Sequence, residues 1–442
     1  MLATSLRAAV SAALLVAATL QPAHAQTALP PTGSLPNGVN YEVRPDPAAP
    51  AAAVALWFRA PAGGFAAGGV ASLSRLAAAT VAGSAPITGT PLGRLVDRFG
   101  GRVSVAAYPD SVAVTALVPA DRVAETVRAM TADYFAPVVT ADGFQLAERD
   151  VGEELLLRSY DPADAIEDAL GTALFGAGPL SAKAATDAYS VQALTADMVR
   201  AFAERAFRPA NAILVLSGNV DASALQDVAA REGAAAGAEP ASAPSVRPAT
   251  GAPLRVEGHA DGTGLGWIGP PITDEAAATA LDFTADALFA PQTGIVQRAL
   301  ATRKVTVTGK FVTYRNPGVF LVTISGDDAA AALPIVERAV ADARHPMTAA
   351  AFASARAGFI YRLLAQMETP SELADTYGWY AVEGNAGYAP SEAGLHGRYF
   401  GVTGKLTPAG VAQTVSRYLG PAPVIVTMVK AKPAPANPGK RT

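Results

Sequence analysis

The feature that most constrains this chain is that it repeats itself. LTADMVRAFAERAFRPANAILV, starting at Leu194, returns as LTPAGVAQTVSRYLGPAPVIV, starting at Leu406, an offset of 212 residues. At that single offset Thr195 matches Thr407, Val199 matches Val411, Arg205 matches Arg417, Pro209 matches Pro421 and Ile213 matches Ile425. Each copy opens on a threonine suited to cap a helix, runs through a proline-containing turn and enters an apolar stretch. That pattern predicts a capped helix, a turn and a buried strand, made twice.

A second pair of elements obeys the same duplication. Arg102–Val118 alternates in polarity around Pro109-Asp110, and Val305–Ser325 alternates around Asn316-Pro317-Gly318, so both read as β-hairpins. Before the first hairpin, Leu92, Leu95, Val96 and Phe99 fall at helical spacing and Gly100-Gly101 closes the helix; its counterpart before the second is Thr293–Arg303. Between the halves, Glu232–Pro253 is rich in Ala, Pro, Gly and Ser, the composition of a linker. Strands and helices grouped in this way predict an α+β fold built twice, over 30–231 and 254–432, with a disordered tail at 433–442.

Half of the 442 residues are hydrophobic, enough to fill two cores. The charge balance of 34 basic and 38 acidic residues contains no basic stripe, which excludes a nucleic-acid partner. The N-terminus has Arg7, an apolar run Ala8–Leu20 and the small-residue pattern Ala23-His24-Ala25, so residues 1–25 read as a cleaved signal peptide. No later run is long and apolar enough to span a membrane. Cysteine is absent, which removes disulfides, thiolate ligands and a thiol nucleophile from consideration. A periplasmic location is expected.

Four segments, in order, resemble the insulinase/pitrilysin-like zinc metallopeptidase family: LPNGVNYEV (Leu35–Val43), VALWFRAPAGG (Val54–Gly64), FGGRVSVAAYPDSVAVTALVPAD (Phe99–Asp121) and LAERDVGEELL (Leu146–Leu156). The resemblance implies two tandem homologous α/β-sandwich domains. It also implies a helix bearing His-x-x-Glu-His, whose histidines bind zinc while the glutamate activates water. Aligned on Gly69-Val70-Ala71, that motif falls on Ser72-Leu73-Ser74-Arg75-Leu76, and Ser72, Arg75 and Leu76 keep none of its chemistry. A fixed guanidinium where a base should face a dication opposes zinc. The four histidines, His24, His259, His345 and His396, include no pair at ligand spacing. The distal glutamate of the family falls at Glu153 or Glu154, either of which is expected to pair with Arg75 in place of a metal or to lie on a solvated helix face. The helix itself is expected to persist because Val70, Leu73, Ala77 and Val81 pack a core.

Other patterns carry less. GLGWIG (Gly264–Gly269) matches a dinucleotide fingerprint, but Pro270-Pro271 follows where a helix should open, so it reads as a glycine-rich strand end. The substrate-holding arginine of the family matches Arg298, the other reading being a solvated helix residue; the accompanying tyrosine position falls near Val305 or Thr306. The resemblance therefore implies a chain without cofactor and without catalysis of its own. It would be an exported subunit that binds or encloses peptides for a zinc-bearing relative, the alternative being a scaffold or assembly protein of the cell envelope.

Overall fold

The computed structural model describes residues 31–59, 72–85, 89–108, 111–175, 191–229, 253–315, 317–386 and 397–431. The leader, nearly all of the linker and the tail lie outside them, as do Val70, His24 and His396. The strands are β1 (Thr32–Ser34), β2 (Asn40–Pro45), β3 (Ala51–Arg59), β4 (Arg102–Ala107), β5 (Ser111–Pro119), β6 (Ala212–Gly218), β7 (Leu254–Gly258), β8 (Gly262–Ile268), β9 (Thr306–Val312), β10 (Val319–Ser325) and β11 (Val424–Lys430). The main helices are α1 (Ser72–Gly83), α2 (Leu92–Arg98), α3 (Val123–Phe135), α4 (Ala141–Tyr160), α5 (Pro162–Phe175), α6 (Ala196–Ala206), α7 (Glu275–Phe289), α8 (Ile295–Ala299), α9 (Ala329–Asp342), α10 (Ala349–Ala365), α11 (Pro370–Val382), α12 (Arg398–Lys405) and α13 (Pro408–Tyr418).

The duplication is literal. One sheet has the order β1-β2-β6-β3-β5-β4 and the other β7-β11-β8-β10-β9, so β2, β6, β3, β5 and β4 correspond in turn to β7, β11, β8, β10 and β9. In both sheets the first of these pairs is parallel and the rest antiparallel. The repeated segment forms α6 and β6 in one half and α13 and β11 in the other, with boundaries at the offset read from the sequence. Thr195 and Thr407 cap their helices, accepting from the Met198 and Gly410 N–H groups at 3.3 and 3.1 Å. α2 ends as foreseen: Gly100 takes a φ of +78° and the N–H groups of Gly100 and Gly101 return to the carbonyls of Asp97 and Val96. Its counterpart, expected over Thr293–Arg303, is only the short α8.

Each sheet is covered on one face by its own helices and on the other by a helix from the opposite half. Val54, Leu56, Phe58, Leu214 and Leu216 of the first sheet join the core with residues of α1, α3 and α6. The alternate positions Ala53, Ala55, Trp57, Ile213 and Val215 join Ala374 and Tyr377 of α11, from the second half. In return, Ile166, Leu170 and Leu174 of α5 cluster with Val319, Leu321, Val426 and Met428 of the second sheet.

The exchange explains the glycine-rich strand. Gly262, Gly264 and Gly266 alternate along β8 and face α5, where a Cβ on Gly264 would lie 2.5 Å from Ile166 Cγ2. These glycines let helix and sheet approach; no phosphate loop is formed, because Gly262–Ile268 is a buried central strand and the next helix opens later, at Glu275, capped by Asp274.

α7, in the second half, carries an acid whose burial has a measurable consequence. Asp282 accepts a hydrogen bond from the Tyr399 hydroxyl at 2.9 Å, and burial pushes its carboxyl up to about 7 from 3.8. The native state therefore holds a proton that the unfolded chain has released between about pH 4 and 7. Its contribution to stability is complete below that window and lost as pH rises through it. Asp282→Asn keeps an acceptor for Tyr399 without the charge. Its melting temperature is expected to match the parent near pH 4 and exceed it by roughly 4 °C at pH 8, from about 2 kcal/mol. A variant less stable than the parent at pH 8 would show that the charged form is the favoured one.

Candidate functional site: a helix pair joined by an ion pair

The helix that the resemblance marks for zinc is α1, and it is buried nearly all round. Leu73, Leu76, Ala77, Ala78 and Val81 lie in the first core, and Ser74 and Thr80 are also buried. The expected core face is present at Leu73, Ala77 and Val81, but the helix is less one-sided than its spacing suggested. Leu76, at the position of the second histidine, is fully buried among apolar neighbours. Ser72 is the first residue of the helix.

α4 packs beside α1 and brings the candidate glutamates with it. Arg75 donates from Nη2 to Glu154 Oε1, closing an ion pair between the two helices; Glu153 and Glu154 are both exposed, and it is Glu154 that meets the guanidinium. The guanidinium is largely shielded, with a side-chain exposure of 17%, and the carboxylate is half open at 54%. Water screens such a pair, so its worth is at most about 1 kcal/mol. Its importance is chemical. A guanidinium cannot accept a proton from water, and it fills with positive charge the place where a metal would need anionic ligands.

The second half makes a comparable tie with the signs reversed. Arg362 is the fourteenth residue of α10, as Glu154 is of α4, and it donates from Nε to Asp286 Oδ1 of α7 at 2.6 Å.

The surroundings of Arg75 come from both halves. Tyr108, at the end of β4, lies 3.5 Å from Asp375 Oδ1 of α11. Burial first, and then the Asp375 charge, raises the Tyr108 phenol well above its ordinary range, while Arg75 pulls it partly back. Burial also raises the Asp375 carboxyl. Tyr108 stacks on Trp57 at 5.6 Å, and Trp379 stands edge-on to Tyr108 at 4.9 Å, so aromatic packing joins the halves here. The sequence offered no local pattern for these contacts, since Tyr108 and Asp375 are 267 residues apart.

The remaining candidates lie elsewhere. Arg298 is exposed on α8 and turns its guanidinium back onto the Thr293 carbonyl. Near the position sought for the accompanying tyrosine, Tyr314 lies tilted against Trp379, with ring centroids 5.6 Å apart. His259 lies against Tyr160, with ring centroids 4.2 Å apart. Among the described residues no three His, Asp or Glu side chains gather as a metal site, and no helix is long and apolar enough to cross a membrane.

Comparison with known proteins agrees with this geometry. Residues 193–359 match the family described as the peptidase M16 inactive domain. The likeness is to the M16 peptidase family, over that segment of the chain. M16 is the insulinase/pitrilysin-like family that the sequence resembles. An uncharacterized zinc protease of Mycobacterium leprae is 27% identical over 205 residues, an alignment that covers 42% of each chain, so the match spans less than half of that relative. A protease from Helicobacter pylori has the same fold, with a TM-score of 0.77 at 16% identity over 91% of this chain and 99% of that one. So does a peptidase M16 inactive domain from Pseudomonas fluorescens, with a TM-score of 0.73 at 16% identity over 91% and 99%. The matched description, an inactive domain, is consistent with a non-catalytic peptidase homologue. Zinc does not fit this chain's helix pair, because Leu76 is packed into the core and Arg75 already neutralises Glu154.

Proposed function

We propose that this M16 homologue is an exported subunit that binds or encloses peptides for a zinc-bearing relative, which supplies the metalloendopeptidase chemistry. The observation that carries the reading is the Arg75–Glu154 pair: the helix scaffold of the peptidase is kept while a cation of the chain's own stands in the catalytic position. Keeping a scaffold without its chemistry favours a role in association. The leader-like N-terminus supports export to the periplasm, and the chain itself requires no cofactor. In this reading Arg298 is an exposed contact for peptide, available without disturbing the core.

The test is a pull-down of the tagged mature protein from its native envelope, followed by metal analysis and peptide cleavage. Recovery with a comparable amount of a relative bearing His-x-x-Glu-His is expected. The pair should cleave peptides and hold one zinc in the partner, and this chain alone should do neither. Stoichiometric zinc in the isolated chain would overturn the reading. Recovery with unrelated envelope proteins would replace it with the scaffold role.

A further inference from the structure

α11 covers β3, β5 and β6 on the second face of the first sheet, but beyond its C-terminal end a cavity of about 400 Å³ opens over β1 and β2. It lies on the opposite face of the sheet from α1 and is separate from the site described above. Ser34, Asn40, Glu42, Arg44 and Arg59 line it, with the backbone at Ala381 forming the facing wall. Its volume is that of a small-molecule pocket.

The polar groups are built into the fold. Glu42 is only 4% exposed, and its Oε2 accepts from Arg44 Nη2 at 2.7 Å. Arg44 is held in turn over the Tyr377 ring, 4.1 Å from its centroid. Arg59 donates from Nε and Nη2 to the carbonyls of Val382 and Ala381, each at 3.2 Å, and Arg315 donates to the Val382 carbonyl at 2.8 Å. These two cations answer the negative end of α11. Arg59 Nη1 makes no hydrogen bond among the described residues.

Positive charge predominates. Two guanidiniums, Arg44 and Arg59, and one carboxyl, Glu42, line the cavity, while Arg315 and Glu383 stand outside its lining, with Glu383 accepting the Arg315 backbone N–H at 2.6 Å. Burial first, and then the nearby Arg315, holds the Arg59 guanidinium below its usual range. Burial also lifts the Glu42 carboxyl to about 7 against the pull of Arg44, so near neutrality it is partly uncharged. An excess of about one positive charge beside a buried acid suits a monoanion better than a dianion.

We propose that this cavity binds a small carboxylate, an amino acid or the C-terminal residue of a short peptide, with Arg59 and Arg44 facing its anionic group. Guanidinium and carboxylate match in geometry, and Arg59 and Arg44 both line the cavity. Glu42 in its protonated form does not repel the ligand, and its ionisation above about pH 7 does.

The experiment is titration calorimetry on the mature protein with alanyl-alanine, its C-terminal amide and inorganic phosphate as probes. Alanyl-alanine is expected to bind with a Kd below about 1 mM, and the amide at least roughly tenfold more weakly. Affinity should fall several-fold from pH 6 to pH 8, and Glu42→Gln should remove that dependence. Arg59→Gln should weaken binding about tenfold. Because Arg59 also caps α11, Asn40→Phe, which fills the cavity from the edge of the sheet, serves as the second variant, with melting curves confirming its fold. The proposal is overturned by no heat at 10-fold excess over about 1 mM dipeptide, by equal binding of the amide, or by full affinity in folded Asn40→Phe. Tighter binding of phosphate than of the dipeptide would overturn the carboxylate assignment.

Discussion

Gly378→Ala is expected to destabilise the whole chain by about 3 kcal/mol, the upper end of the range for overpacking a core. Helix propensity alone predicts the opposite sign, since alanine in a helix interior gains roughly 0.5–1 kcal/mol over glycine. Sterics decide. Gly378 lies in α11, and a Cβ there would collide with Nε1 and the adjoining ring atoms of Trp57, a fully buried residue of β3. Trp57 cannot retreat, because Tyr108 stacks on it and Trp379 closes its edge. Urea denaturation measures the loss, and hydrogen exchange locates it. Although the substitution is in the second half, protection should fall in β3 and β6 of the first. A more stable variant would mean that α11 is not seated on that sheet.

Leu76→His should cost about 3 kcal/mol or more while recruiting no zinc. The substitution restores a residue type suited to the motif, yet Leu76 is fully buried in the first core. Removing it gives up the burial of a leucine, worth about 1.5–3 kcal/mol, and leaves imidazole nitrogens to be satisfied in apolar surroundings. With Arg75 still paired to Glu154, no anionic partner is left for a metal. Chemical denaturation and metal analysis of the purified variant check both parts. Unchanged stability together with stoichiometric zinc would show that the helix still presents this position to a metal site.

The first prediction depends on contacts between the halves and the second on packing within one of them, and contacts of both kinds divide what could be read along the chain from what could not. The duplication, the hairpins, the threonine caps and the glycine stop of α2 follow from short-range rules: period-2 alternation, side-chain capping and the freedom of glycine at positive φ. The assignment of Ser72, Arg75 and Leu76 to the positions of a zinc motif is of another kind, since it rests on the family resemblance and not on a local rule. The glycines of GLGWIG could be dismissed as a phosphate loop from the prolines that follow, but their purpose could not be inferred, because the residues they accommodate, Ile166, Leu170 and Leu174, sit almost a hundred positions earlier.

The sequence by itself determined that this protein is one architecture made twice. Only the tertiary structure decided that each sheet borrows a helix from the other half, that Glu154 rather than Glu153 meets Arg75, and that Leu76 belongs to the core. It alone placed Arg59 and Arg44 around one cavity. The physical reason is range. Periodicity and turn chemistry act between neighbours in the chain, whereas which face a helix covers, and which of two adjacent acids turns toward a cation, are set by packing among residues far apart in the chain and brought together only when it folds.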